Sequence, residues 1–236
     1  TIEICIKYSP LWQHFRKHRL SQNIRVAHDH REFATWLLHL GNGTSNQLLE
    51  QPISEDDVEL PHTSCVNGSL VENIYSNTSQ EDRRNRVILS PKNSDCLILN
   101  EEVLGQLPGE DRVYYSTDAV ITDDPTEAQR YPPEFLNSLT PSGMPPHRLR
   151  LKIGSIIMLL RNISIQNELC IETRLEVIAM HHHSIEASLI SGGLTGRHVI
   201  TPRIKLAPSD PYLPFTLERN QFPVRLSYAT TLNKSQ

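Results

Sequence analysis

Val87-Ile88-Leu89-Ser90-Pro91-Lys92-Asn93, leading into Ser94-Asp95-Cys96-Leu97-Ile98-Leu99-Asn100, is the stretch that decides the fold. Three apolar residues make a short strand, and Ser90-Pro91 interrupts it. Asn93 or Ser94 then caps a helix that is expected to run to Leu107. Strand, polar loop and helix in this order form the βα element of a parallel sheet, so the segment predicts an α/β domain.

Upstream, Ser9-Pro10 opens a short helix through Leu11, Trp12 and Phe15, and 19–26 reads as a short strand. Asp29 and Glu32 have capping-box spacing. Phe33, Trp36, Leu37 and Leu40 then form one apolar helical stripe, which predicts a core helix ended by Gly41 and Gly43. Residues 42–69 are polar and acidic and read as a surface loop. Residues 70–75 could make a short helix, and 80–86 is strongly polar.

Downstream, 113–121 reads as a strand. Residues 122–146 carry six prolines, so little regular structure is expected there. From Arg148 the period changes to two: Leu149, Leu151 and Ile153 alternate with Arg148, Arg150 and Lys152. Strands are expected at 156–160, 174–180, 184–190 and 198–204, forming a small, strongly bent β module, with a last strand at 222–229.

Hydrophobic residues make up 38% of the 236-residue chain and charged residues 21%, as in an ordinary globular protein. No apolar run is long enough for a membrane helix, and no membrane partner is expected. The four cysteines form no C-x-x-C pair, which argues against a zinc site and for a reduced, intracellular chain. The net charge of −4 excludes a uniformly basic nucleic-acid binder, but the charge is uneven. Residues 1–31 carry +4, residues 46–82 carry −8 and residues 143–236 carry +5. His181-His182-His183 is read as a solvated turn, because consecutive strand residues face opposite ways. A phosphate loop of the form G-x-x-x-x-G-K-[ST] does not occur in the chain.

Several segments share order and spacing with one known family: Ser9-Pro10-Leu11-Trp12, Leu20-Ser21-Gln22-Asn23-Ile24-Arg25, Gly41-Asn42-Gly43, Ile88-Leu89-Ser90-Pro91-Lys92-Asn93, Leu139-Thr140-Pro141-Ser142-Gly143-Met144-Pro145-Pro146-His147, Leu149-Arg150-Leu151-Lys152-Ile153-Gly154 and Asn233-Lys234-Ser235-Gln236. Together they resemble the helitron-type, petite-integration-frequency (PIF) DNA helicases of superfamily one, in the C-terminal motor region. The resemblance implies an α/β fold: a RecA-like parallel-sheet domain interrupted by a small SH3-like β-barrel insertion. It places the first part of the motor domain at 1–130, a Pro-rich linker at 131–146, the inserted barrel at 147–221 and the return to the motor domain at 222–236.

The resemblance further implies ATP-dependent unwinding and translocation on single-stranded DNA in a nuclear enzyme. ATP and Mg2+ would be held in the complete enzyme and not by this chain alone. The other partner would be an N-terminal RecA-like domain, expected to precede Thr1 and to carry the phosphate loop. Arg25 matches the arginine that approaches the ATP phosphates, where a guanidinium would offset charge developing on the γ-phosphoryl group. Asn233, Lys234, Ser235 and Gln236 match the start of the fifth motif, a loop that offers polar groups to a DNA phosphate, and the chain is expected to be broken inside it. Lys92, Asn93 and Asn100 match the DNA-facing edge, and Arg148, Arg150 and Lys152 could line the DNA path. One departure is Cys170-Ile171-Glu172-Thr173-Arg174, where the family usually has Asn-Gly in place of Ile171-Glu172. Such a turn suits Asn-Gly better, and Glu172 brings negative charge toward the expected DNA surface. The alternatives are a non-catalytic single-strand-binding remnant of a transposon helicase and a protein-interaction domain.

Overall fold

Strand β1 (Ile88–Ser90) and helix α4 (Asn93–Gln106) form the expected βα unit in the computed structural model, which describes residues 8–16, 18, 31–44, 58, 60, 65–124, 130–208 and 213–232. The expected strand at 19–26, together with Arg25 and Asn233 to Gln236, lies outside the described residues. The chain divides into two units, Thr1–Cys65 and Val66–Gln236.

In the first unit, Ser9 caps a 3-10 turn at Pro10–His14 by accepting from the Leu11 amide, with proline in the first turn. Helix α1 (Arg31–Gly41) ends as expected, with Gly43 at φ +69 and the Thr44 amide closing back on His39. Its apolar stripe forms, and the Phe33 and Trp36 rings stack at 5.6 Å. However, no residue of α1 is buried, so the expectation of a core helix is not met within the described residues.

The second unit opens with two short helices, α2 (Leu70–Tyr75) and α3 (Gln80–Arg84), each capped by a serine hydroxyl. The polar stretch 80–86 is therefore partly helical. Strand β1 pairs in parallel with the last strand, β12 (Ala229–Thr231), in register Ile88↔Ala229. Among the described residues this parallel sheet has two strands. Everything between is antiparallel. β2 (Arg112–Tyr115) pairs with β4 (Arg148–Leu151), and β3 (Thr117–Ile121), β10 (Thr216–Gln221) and β9 (Ile204–Leu206) form a second sheet. The third holds β11 (Val224–Leu226), β5 (Ile156–Leu159), β6 (Arg174–Met180), β7 (Ser184–Leu189) and β8 (His198–Pro202), in that order. A bulge between Val177 and Ala179 bends β6.

Several expectations shift. The 113–121 strand is two strands broken at Ser116, and 198–204 is also two. The proline-rich segment contains a helix, α5 (Pro133–Ser138), because proline fits the first helical turn, where its missing amide is not needed. The 222–229 strand divides between β11, in the five-stranded sheet, and β12, in the parallel pair. The β region therefore recruits β2 and β3 from before 131 and β11 from after 222, outside the expected barrel limits.

One apolar core joins α2, α4 and β1 to the strands, with Leu104, Leu151, Ile157, Leu175, Val177, Ile185, Phe222 and Val224 almost fully buried. A smaller core of Leu136, Met144, Leu206 and Leu217 lies under α5 and β10. Arg219 is buried beside it and forks onto Asp118, with Nη2 to Oδ2 at 2.5 Å, and also donates to the carbonyls of Leu136, Leu139 and Pro145. This ties the proline-rich loop to β3 and β10. Among the described residues no helix is long and apolar enough to cross a membrane.

Candidate nucleic-acid interface

A cleft of about 510 Å³ lies where the start of α4 faces the β region. Pro91, Asn93 and Ser94 form one side, and the loop from Thr140 to Pro146 with Arg148 forms another. Met158 to Leu160, the Ile171-Glu172 turn, Arg225 and Thr231 add to the lining, as do Asn100 and Glu101 of α4 and Arg150 of β4. Gly143 reaches φ +70 in the loop, and the Arg161 guanidinium holds the loop by donating to Gly143 O at 3.1 Å.

The local chemistry suits an anion at three points. The sequence breaks its strand with Ser90-Pro91, so α4 begins with amides that have no helical partners, and Asn93 and Ser94 are exposed there. Lys92, between two lining residues, is the N-cap; its side chain caps nothing and is exposed. Asp95 in the first turn accepts from Ser94 at 3.0 Å and works against an anion at that end. Arg148 stands exposed on β4, and Arg225 stands half-buried on β11 between the buried Val224 and Leu226. Neither guanidinium makes a hydrogen bond or ion pair among the described residues. Burial holds Arg225 below its ordinary pKa, while the neighbouring Cys96 and Glu172 act in the opposite direction. Arginine keeps its charge through such a shift.

Three residues expected at the DNA surface have their polar groups engaged within the protein, although Asn100 and Arg150 also line the cleft and only Lys152 lies away from it. Asn100 is buried: its Nδ2 donates to Ala229 O at 2.9 Å, and its Oδ1 accepts from the amides of Tyr228 (2.8 Å) and Ala229 (2.9 Å). Ile88 N donates to Tyr228 O at 2.8 Å, so β1 uses the Tyr228 carbonyl. The polar groups of Ala229 point to the far edge, where Asn100 replaces a strand. Arg150 is taken up by Asp111 (2.6 Å) and Glu101 (2.9 Å), and its hydrogen bond holds the Asp111 carboxyl below the usual range. Lys152 is buried and donates to Leu107 O at 2.6 Å, with Asp111 at 3.6 Å. The strand ends at Leu151, so the alternation that would keep Lys152 beside Arg148 stops one residue short.

Arg225 was not singled out from the sequence. The signal available was an arginine flanked by Val224 and Leu226 in an otherwise apolar strand. His181 to His183 are exposed at the β6–β7 turn, as the period argument expects. Among the described residues no group of three or more His, Cys, Asp or Glu side chains is placed to hold a metal.

Residues 134–180 match the family model for the 2B domain of the DNA helicase Pif1. Among solved structures, a Pif1 helicase described as acting in coordinating pairs on forked double-stranded DNA is similar over 85% of this chain and 37% of that one, at 19% identity and a TM-score of 0.50. Unliganded Pif1 from Bacteroides sp covers 66% of this chain and 45% of its own, at 20% identity and a TM-score of 0.45. Pif1 from Candida albicans covers 64% and 36%, at 22% identity and a TM-score of 0.46. No curated protein matches the sequence. Residues 134–180 are thus similar to a Pif1 2B domain, and the chain spans less than half the length of these solved chains.

Proposed function

We propose that this chain is the strand-gripping part of the second motor half of an ATP-dependent DNA helicase, holding single-stranded DNA in the cleft between α4 and the β region. The observation that carries this reading is the cleft itself, where Arg148 and Arg225 make no hydrogen bond or ion pair among the described residues and the first amides of α4 face the same space. Phosphate contacts of this kind position a strand without reading its sequence. The β1–α4–β12 unit is read as the edge of a RecA-like parallel sheet, and the β region as the inserted barrel. The solved relative acting on forked duplex DNA supports a helicase role by fold.

ATP and Mg2+ belong to the complete motor in this reading, with the phosphate loop on the other RecA-like half. Arg25 would reach the nucleotide across the interface, and Asn233 to Gln236 would continue the DNA contact after β12. The helitron-type branch and a nuclear site of action follow from the sequence resemblance.

The test is anisotropy of a labelled oligothymidylate titrated with the purified chain at several salt concentrations. Binding should weaken with salt, and R148Q and R225Q should each lessen the slope of log K against log salt by about 0.7, as for one lost single-strand phosphate contact. Absence of binding at low salt, or wild-type slopes in both variants, overturns the proposal.

A further inference from the structure

Turn chemistry and cleft chemistry disagree at Glu172. The residue sits at φ +72, in the left-handed region that favours glycine or asparagine. Nothing about a glutamate eases that turn, yet the turn is firmly built. The Glu172 amide donates to Leu159 O (2.8 Å) and the Thr173 amide to Cys170 O (3.1 Å). The Ile171 amide donates to Asn162 Oδ1 (2.6 Å), and Thr173 Oγ1 donates to Glu168 O (2.9 Å). Backbone held in a sparsely populated region by its surroundings is characteristic of functional surfaces.

The turn docks Glu172 on the end of β5. Arg225 occupies the adjoining strand, paired with Met158. Both residues line the same cleft, and their charges interact. A half-buried guanidinium in such a cleft is favoured by a counter-charge; of the two lining carboxylates, Glu101 is held by Arg150 at 2.9 Å, and Glu172 is the one that acts on Arg225.

We infer that Glu172 is the resident counter-anion of Arg225, standing where a phosphodiester of bound single-stranded nucleic acid would stand, and that it sets the affinity and salt dependence of the cleft. This rests on the reading of the cleft as a single-strand site. An incoming phosphate at Arg225 must compete with the nearby Glu172 charge, so part of the electrostatic gain is already offset within the protein. The residue thereby tunes the grip toward easy release.

The experiment compares E172Q, E172G, R225Q and E172Q/R225Q in the full chain, by anisotropy with labelled oligothymidylate across a salt series and by thermal unfolding. E172Q keeps the left-handed strain and removes the charge, whereas E172G removes both. Both variants are expected to tighten binding roughly three- to tenfold at low salt and to steepen the salt slope by about 0.7. E172G alone should also raise Tm. R225Q should weaken wild-type binding and erase the gain from E172Q. If R225Q weakens binding but E172Q changes neither affinity nor slope, this inference falls and the single-strand reading stands. The inference also falls if E172Q tightens binding equally in the R225Q background, since that is a general charge effect. If the chain does not bind and R225Q changes nothing, the single-strand reading fails and takes the inference with it.

Discussion

Replacing Asn100 by alanine tests whether this residue serves the DNA surface or the fold. Its carboxamide makes three hydrogen bonds to β12, at 2.8 to 2.9 Å, within the core. Truncation leaves two main-chain donors and one acceptor without these partners, at about 1–3 kcal/mol for each buried group left unsatisfied. Some relaxation and water entry will recover part, so a net loss of about 3–5 kcal/mol is expected. For a unit of this size that corresponds to a fall in Tm of about 8–15 °C. Circular dichroism melts measure this directly, and single-strand binding of N100A, taken well below its own Tm, should stay close to wild type. A Tm within about 2 °C of wild type together with a large loss of DNA binding would refute the assignment and return Asn100 to the interface.

Three further outcomes are expected. R219M strands the buried Asp118 and three carbonyls and should cost about 3–5 kcal/mol, with the D118N/R219M double variant recovering part of it in urea unfolding. Burial pushes Tyr228 up from 10.0 to about 12, so its contribution to stability is fully present below pH 10 and is lost as pH rises toward 12. Y228F should therefore flatten the fall of Tm over that window, and an unchanged fall would count against the burial argument. Gly192 sits at φ +95, and a Cβ there would lie 2.5 Å from Glu168 Oε2. G192A should lower stability by about 1–2 kcal/mol in the same melts.

The βα unit and most of the β module could be read from the sequence because their signals are local. Ile88-Leu89 before Ser90-Pro91, and the alternation through Leu149 and Leu151, each specify structure within a few residues. What could not be read depends on distant partners. Asn100 looks like any polar helix residue until β12, about 130 residues on, supplies the groups it satisfies. Lys152 continues the spacing of Arg148 and Arg150, but the strand stops at Leu151 and a turn carries Lys152 into the core. The role of Arg225 depended on seeing 222–229 divide between two sheets, and a continuous apolar stretch hides that division. Pro132-Pro133 was legible in principle, since proline opens helices as readily as it ends them. Arg25 and the segment from Asn233 to Gln236 lie outside the described residues, so their roles rest on sequence resemblance alone.

The parallel pairing of β1 with β12 has a kinetic consequence. Ile88 and Ala229 are neighbours in the sheet but about 140 residues apart along the chain. Closing so long a flexible loop is entropically costly, and contacts of this separation slow folding. The intervening strands β5 to β8 form a meander of successive hairpins, whose contacts are short-range. Once they assemble, the ends to be joined are tethered by a folded body and not by free chain. The β domain is therefore expected to fold early and to act as a template for the parallel pair. On that view the β5–β8 meander is also the scaffold on which the parallel pair closes last, and lesions in it should slow formation of the β1–β12 edge even where they leave the cleft residues untouched.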